Sequence, residues 1–270
     1  MSFDALPPIG LGTYRLTGDT ARDTVKRALS LGYRHIDTAQ AYNNEAEVGD
    51  GITSSGIPRR EIFVTTKIWH DNLHPDRLVA SLKESLQRLK TDHVDLTLIH
   101  WPSPDNEVPM ADYLMALLRA QHEGLTDHIG LSNFTIAQMD EARQILGEHP
   151  ILTNQIEVHP FLANRKLVDH AQTLGIQVTG YMPLAVGRVM ENQALAELAR
   201  KRNVSAAQLA IAWVVSRGVV PIPSSTRDEH LKANLDALTL QLTPEELNVI
   251  DRLDRGERLA NPPFAPAWDQ

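Results

Sequence analysis

The chain has 270 residues, 42% of them apolar, enough to bury a core of barrel size as one unit. Twenty-six Lys and Arg against 34 Asp and Glu leave a formal net charge of −8, which argues against a nucleic-acid or anionic-membrane binder working by bulk charge. Cysteine is absent, so disulfides, thiolate zinc sites, iron–sulfur clusters and a cysteine nucleophile are excluded.

Met1–Pro7 has no basic region leading into an apolar run, so no secretory signal is expected. No stretch approaches the ~20 apolar residues of a membrane span, and a cytoplasmic protein is the expectation. Short apolar runs then alternate with amphipathic segments. Ile9–Tyr14 reads as a strand and Ala21–Leu31 as a helix, with Gly32 where a helix-ending residue belongs. Tyr33–Ala39 is a strand, Glu45–Ser54 a short helix before Gly56, and Ile62–Ile68 a strand of strong β composition. Arg77–Leu89 carries Leu78, Leu82, Leu86 and Leu89 on one helical face. The strand Val94–Trp101 and the helix Asp112–His122 follow. His128–Phe134 and Leu152–Val158 are strands flanking a helix over Thr135–Leu146, where Thr135 and Gln138 have capping-box spacing. Lys166–Leu174 reads as helix, Gln177–Leu184 as strand, and Ala194–Arg202 and Ala206–Ser216 as helices. Val219–Ser225 is an apolar strand carrying two prolines, which normally argue against a strand. Thr243, Pro244 and Glu246 have the N-cap, first-turn proline and third-position acid of a last helix.

Eight apolar strands separated by helices belong to the α/β class with a covered parallel sheet. A doubly wound sheet also satisfies the pattern, but eight units in this length match a single (β/α)8 TIM barrel better. One domain over residues 1–270 is expected, with a proline-rich C-terminal tail at about 256–270 that is a packed or mobile flap.

In such a barrel the reactive groups sit at the C-terminal strand ends. Those ends carry Asp37, Lys67, His100, Ser132, Asn133, Gln155, Glu157, Tyr181, Ser224 and Ser225. A lysine inside an apolar strand needs a partner, and Asp37, one strand away, is the obvious one. A purely structural ion pair accounts for those two residues alone; His100 and Tyr42 beside them favour chemistry. His70 and His74 have i, i+4 spacing but no completing ligand, so no metal site is expected. Gly10-Leu11-Gly12 begins like a Rossmann fingerprint but lacks its third glycine.

The segment GYRHIDTAQAYNNEAEVG (32–49) resembles the signature of the aldo-keto reductase family. The resemblance continues through VTTKIW (64–69), LIHWP (98–102), IGLSNF (129–134) and NQIEVHP (154–160), in the family's order over essentially the whole chain. Within the family the chain looks most like the bacterial 2,5-diketo-D-gluconate reductases of B type. The resemblance implies a catalytic tetrad of Asp37, Tyr42, Lys67 and His100. The expected chemistry is carbonyl reduction: Tyr42 donates the proton, Lys67 lowers the phenol pKa from its ordinary ~10, Asp37 holds Lys67, and His100 hydrogen-bonds the carbonyl oxygen. The implied cofactor is NADPH, with NADH a weaker alternative. Tyr181 would stack on its nicotinamide, Ser132, Asn133 and Gln155 would hold the carboxamide, and Gly12, Thr13, Asp37 and Leu184 would lie nearby. Ser224 stands where the family usually has lysine, so Ser224, Ser225, Thr226, Arg227, His230 and Asn234 are left for the adenosine end of the cofactor, with Arg227 the substitute cation. Met182 stands where the family commonly has serine.

Trp69 and Trp101, with Tyr42 and His100, are expected to wall a site for small carbonyl compounds: diketo sugar acids, methylglyoxal-like dicarbonyls and aldehydes. No arginine for a sugar-acid carboxylate is assignable from the sequence. A monomer without nucleic-acid or membrane partners is expected. Two other readings stay open: a Schiff-base lyase using Lys67, and a cofactor-binding regulatory subunit with little turnover.

Overall fold

The computed structural model describes residues 6–269. Met1–Ala5, part of the stretch read for a signal, and Gln270, the last residue of the expected tail, lie outside it. The elements run β1 (Leu11–Gly12), α1 (Gly18–Leu31), β2 (His35–Asp37), α2 (Glu45–Ser54), β3 (Phe63–Ile68), α3 (Pro75–Leu89), β4 (Val94–Ile99) and α4 (Met110–His122). They continue with β5 (Thr126–Ser132), α5 (Ile136–Leu146), β6 (Thr153–Glu157), α6 (Arg165–Thr173), β7 (Gln177–Tyr181), α7 (Arg188–Glu191), α8 (Gln193–Arg202) and α9 (Ala206–Ser216). The chain ends with β8 (Val219–Pro221), α10 (Asp228–Asp236) and α11 (Pro244–Asp251).

All eight strands are parallel and pair in chain order from β1 to β8. The sheet is curled. Gln155 of β6 reaches Asp37 of β2 with an Nε2–Oδ2 distance of 2.7 Å, although the two strands are not sheet neighbours. The sheet edges also approach, with Gly10 N–H donating to Pro221 C=O at 3.0 Å and Gly12 N–H to Pro223 C=O at 3.1 Å. Glycine is needed at position 12 because a Cβ there would stand 2.7 Å from the Ile222 carbonyl oxygen. No helix among the described residues is long and apolar enough to cross a membrane.

Strand alternation explains the layering. On β3, Val64 and Ile68 join the large apolar cluster beneath the helices, whereas Phe63 joins Leu6, Leu96 and Leu98 in a smaller one. Lys67 shares the face of Phe63 but lies at the C-terminal end, with Asp37 and Gln155.

The expected proline-bearing strand shortens to Val219–Pro221, since proline has no N–H for a ladder. The helix α10 was not among the sequence expectations; three polar residues open it, and its apolar face is short. The tail contacts the barrel: Arg255 and Glu257 both donate backbone N–H bonds to Phe161 C=O, and Ile136 N–H donates to the Asp269 carboxylate.

His35, buried beneath the site, makes a testable contribution to stability. Its Nε2 lies 3.0 Å from Thr65 Oγ1, its Nδ1 has no protein partner, and burial lowers its pKa to about 4. The unfolded chain therefore binds one more proton than the folded chain between about pH 4 and the ordinary value of 6.5. The stabilisation is complete above that ordinary value and is lost as pH falls toward the folded one, at about 1.4 kcal/mol per unit. Unfolding in urea at pH 7 and pH 5 should show His35→Leu losing about 2 kcal/mol less than wild type on acidification. Equal losses would remove His35 from the acid sensitivity.

Candidate active site

Lys67 is fully buried near the end of β3. Its ammonium donates to Asp37 Oδ1 at 2.5 Å, to Thr38 C=O at 2.8 Å and to the Tyr42 hydroxyl at 3.3 Å, so all three N–H bonds are used. The other Asp37 oxygen accepts from Gln155, so the carboxylate is held on both sides. A short turn after β2, Gln40–Tyr42, carries the half-buried Tyr42 to the cavity floor. Asn44 fastens this turn to the end of β1, donating to Thr13 C=O and Leu16 C=O and accepting from Thr38. The His100 ring meets Tyr42 edge-on at 5.6 Å.

The electrostatics depart from the sequence expectation. Lys67 was expected to make the phenol of Tyr42 more acidic. Burial instead raises its pKa well above the ordinary 10, and the charge of Asp37 and the neighbouring Tyr14 add to the rise. Asp37, only 2.5 Å from Lys67, offsets the cation that would stabilise a phenolate. The hydroxyl is therefore kept protonated, as a donor requires. Burial lowers the pKa of Lys67, with Asp37 opposing the shift. Burial, with Lys67 and His70 beside it, pushes His100 well below the ordinary histidine value, so its ring is neutral and has one N–H. The Nδ1 atom of His100 is buried without a protein partner.

These groups open into a cavity of about 1160 Å³, above the usual range for single small-ligand sites. Its wall includes Asp37, Tyr42, Trp69, His100 and Trp101, together with Ser224, Ser225, His230 and Asn234. Gly12, Ser132, Asn133, Gln155, Tyr181 and Leu184 also line it. Tyr181 donates to Asn133 Oδ1 at 2.7 Å, and Asn133 donates to His100 C=O at 3.0 Å, which ties β5 and β7 to β4.

Three expected contacts are not on the cavity wall. Thr13 is buried and donates its hydroxyl to Asp37 C=O, pinning β1 to β2. Thr226 also lies off the wall, and its C=O accepts from Arg27. Arg227 is exposed and pairs with Glu229, two residues along the same helix start. Gln155 reaches the cavity, with one of its two amide N–H bonds used on Asp37.

Other wall residues were not anticipated. Tyr14 and Arg15 follow β1, with the Arg15 guanidinium 5.2 Å from the Tyr14 ring centre and Tyr14 packed on Tyr42. Their place directly after the glycine pair was the available signal. Beyond β7, the wall residues Met182 and Val186, and the buried Ala185 between them, have positive φ (51°, 53° and 47°), a left-handed conformation that side chains disfavour and that gathers at binding loops. The tail supplies Leu259, Ala260, Asn261, Pro262 and Phe264, and the Phe264 ring packs edge-on against Trp69 and Trp101.

The family model "Aldo/keto reductase family" matches residues 8–255. The chain is 52% identical to methylglyoxal reductase DkgB of Escherichia coli O157:H7 over 266 residues, covering 98% of this chain and all of that protein. A crystal structure provisionally assigned as a 2,5-diketo-D-gluconic acid reductase B superposes with a TM-score of 0.94 at 41% identity, covering 98% of this chain and 94% of the other. The Bombyx mori aldo-keto reductase, solved in complex with NADP, superposes with a TM-score of 0.87 at 36% identity, covering 95% and 92% of the two chains. With a matching model over most of its length and a relative of this identity, the chain belongs to the aldo/keto reductase family, oxidoreductases that act on carbonyl groups.

Proposed function

We propose that the chain is an NADPH-dependent reductase of small carbonyl compounds, methylglyoxal-type dicarbonyls first among them, with Tyr42 as the proton donor. The observation that carries this reading is the hydrogen-bonded chain Asp37–Lys67–Tyr42 beside His100, opening into a cavity of about 1160 Å³. The residues present fit that cofactor. Tyr181 offers a ring face, Ser132 and Asn133 offer polar atoms, and Ser224, Ser225 and the start of α10 with His230 offer an anion-binding end. NADPH supplies the hydride when bound. Arg227 would have to leave Glu229 to reach a 2′-phosphate, so the balance between NADPH and NADH rests on that exchange.

The roles of the protein groups follow from their geometry. Tyr42, held protonated, hydrogen-bonds the carbonyl oxygen and gives up its proton as charge grows there. Lys67 then compensates the phenolate, with Asp37 and Thr38 keeping the ammonium in place. Neutral His100 orients the carbonyl through its N–H. Trp69, Trp101 and Phe264 make the substrate end aromatic and exclude water. A neutral dicarbonyl suits this wall. For a diketo sugar acid, Arg15 is the one guanidinium on the cavity wall among the described residues.

The Schiff-base alternative finds little support, because Lys67 is fully buried and all three of its N–H bonds are committed. The reading takes the sheet as a closed (β/α)8 barrel, joined through Gly10 and Gly12, in one domain with its tail, and the protein as a cytoplasmic monomer. Mixing purified protein with methylglyoxal and NADPH should consume NADPH catalytically at the nicotinamide absorbance band. Tight NADPH binding without turnover on any aldehyde, dicarbonyl or keto sugar acid would replace the reading with the regulatory one. Borohydride trapping of substrate on Lys67 would replace it with the lyase.

A further inference from the structure

We propose that Glu157 is a positioning residue: its buried carboxylate clasps the C-terminal segment and thereby sets the aromatic wall of the substrate site. Glu157 ends β6 and is fully buried. A carboxylate removed from water needs several donors to compensate it. One comes from the barrel. Phe161 N–H donates to His159 Nδ1, which leaves the proton on Nε2, and Nε2 donates to Glu157 Oε1 at 2.8 Å. The other two come from the tail: Leu259 N–H donates to Oε1 and Ala260 N–H to Oε2, both at 2.8 Å. Asn164 reinforces the junction, donating to Glu157 C=O and accepting from Arg258.

The segment beyond this clasp has no helix or strand of its own to hold it. It carries Asn261, Pro262 and Phe264 across the cavity, where Phe264 meets Trp69, His70 and Trp101 with ring centres 5.8, 4.8 and 5.5 Å apart. Its far end returns to the barrel through Trp268, whose ring centre lies 6.1 Å from that of Trp101, and through Asp269 at the start of α5. The position of Phe264 therefore depends on anchors, and the one next to the cavity is a carboxylate whose hydrogen bonds go to His159, Leu259 and Ala260 and to none of Asp37, Tyr42, Lys67 and His100. Substrates with an aromatic or apolar substituent on the carbonyl are the class that would read this wall.

The kinetic half of the inference rests on the proposed reductase activity; the clasp itself is tested without it. Glu157→Gln keeps the shape but sets an NH₂ group against one of the N–H donors, and Ala260→Pro removes one tail donor without touching the barrel, so it carries the test if the first variant fails to fold. Each is exposed to trypsin and followed by intact mass. Wild type should stay whole, whereas the variants should lose the segment after Arg255 or Arg258 at least about tenfold faster, as local opening predicts. With phenylglyoxal and NADPH, KM should rise roughly tenfold while kcat stays within about twofold and NADPH affinity is unchanged. The double variant should be no worse than the more severe single one, because both break one clasp. Tails as protected as in wild type, a released tail with an unmoved KM, a parallel fall in kcat, or additive effects would each overturn the proposal. A wild type inactive on every carbonyl would count against the reductase reading alone and leave the proteolysis result standing.

Discussion

Tyr42→Phe should bind NADPH nearly as wild type does and reduce methylglyoxal at least about a hundredfold more slowly, a loss of about 2.7 kcal/mol of transition-state stabilisation. The substitution removes one oxygen from the cavity floor and leaves Lys67 its bonds to Asp37 and Thr38, so the fold and the cofactor surface are retained. What disappears is the protonated hydroxyl. Burial keeps that proton in place in the resting protein, so the group is a neutral phenol and not a pre-ionised phenolate. Single-turnover rates at matched NADPH occupancy measure the effect directly. A variant keeping more than half the wild-type rate would remove Tyr42 from the mechanism.

Lys67→Met should lose reductase activity and about 3–5 kcal/mol of stability, because it leaves the Asp37 carboxylate buried with only Gln155 as a side-chain donor. The denaturant midpoint reports the second loss without any assay of activity. Adding Asp37→Asn should recover part of the stability and none of the activity, since the double variant no longer buries an unpaired charge but still has no cation beside Tyr42. An unchanged midpoint in the single variant would mean that the pair is hydrated well enough to be dispensable.

Much of the architecture could be read from local pattern. The β-branched runs at Phe63–Ile68 and Val94–Ile99 lie within the stretches expected, and the capping boxes at Thr135 and Thr243 open helices where their spacing indicates. Boundaries moved where local chemistry competes. Prolines cut short the last strand, and α10 begins with Asp228, Glu229 and His230 rather than an apolar stripe. Thr13, Thr226 and Arg227 lie off the cavity wall for a related reason. Position in a motif puts a residue near a strand end, but the backbone turn after the strand decides which way its side chain points.

Residue order alone determined that eight apolar strands alternate with amphipathic helices, and that Asp37, Lys67, His100, Gln155 and Tyr181 stand at the strand ends. Periods of two and 3.6 are local, so neighbouring residues suffice to write them. The folded sheet decided the rest. It brings Gln155 to Asp37 across 118 positions of chain, packs the tail onto Glu157, and reverses the expected direction of the Tyr42 shift. Those outcomes depend on which groups lose their water when the sheet curls, and desolvation is a property of the assembled interior that no stretch of sequence contains.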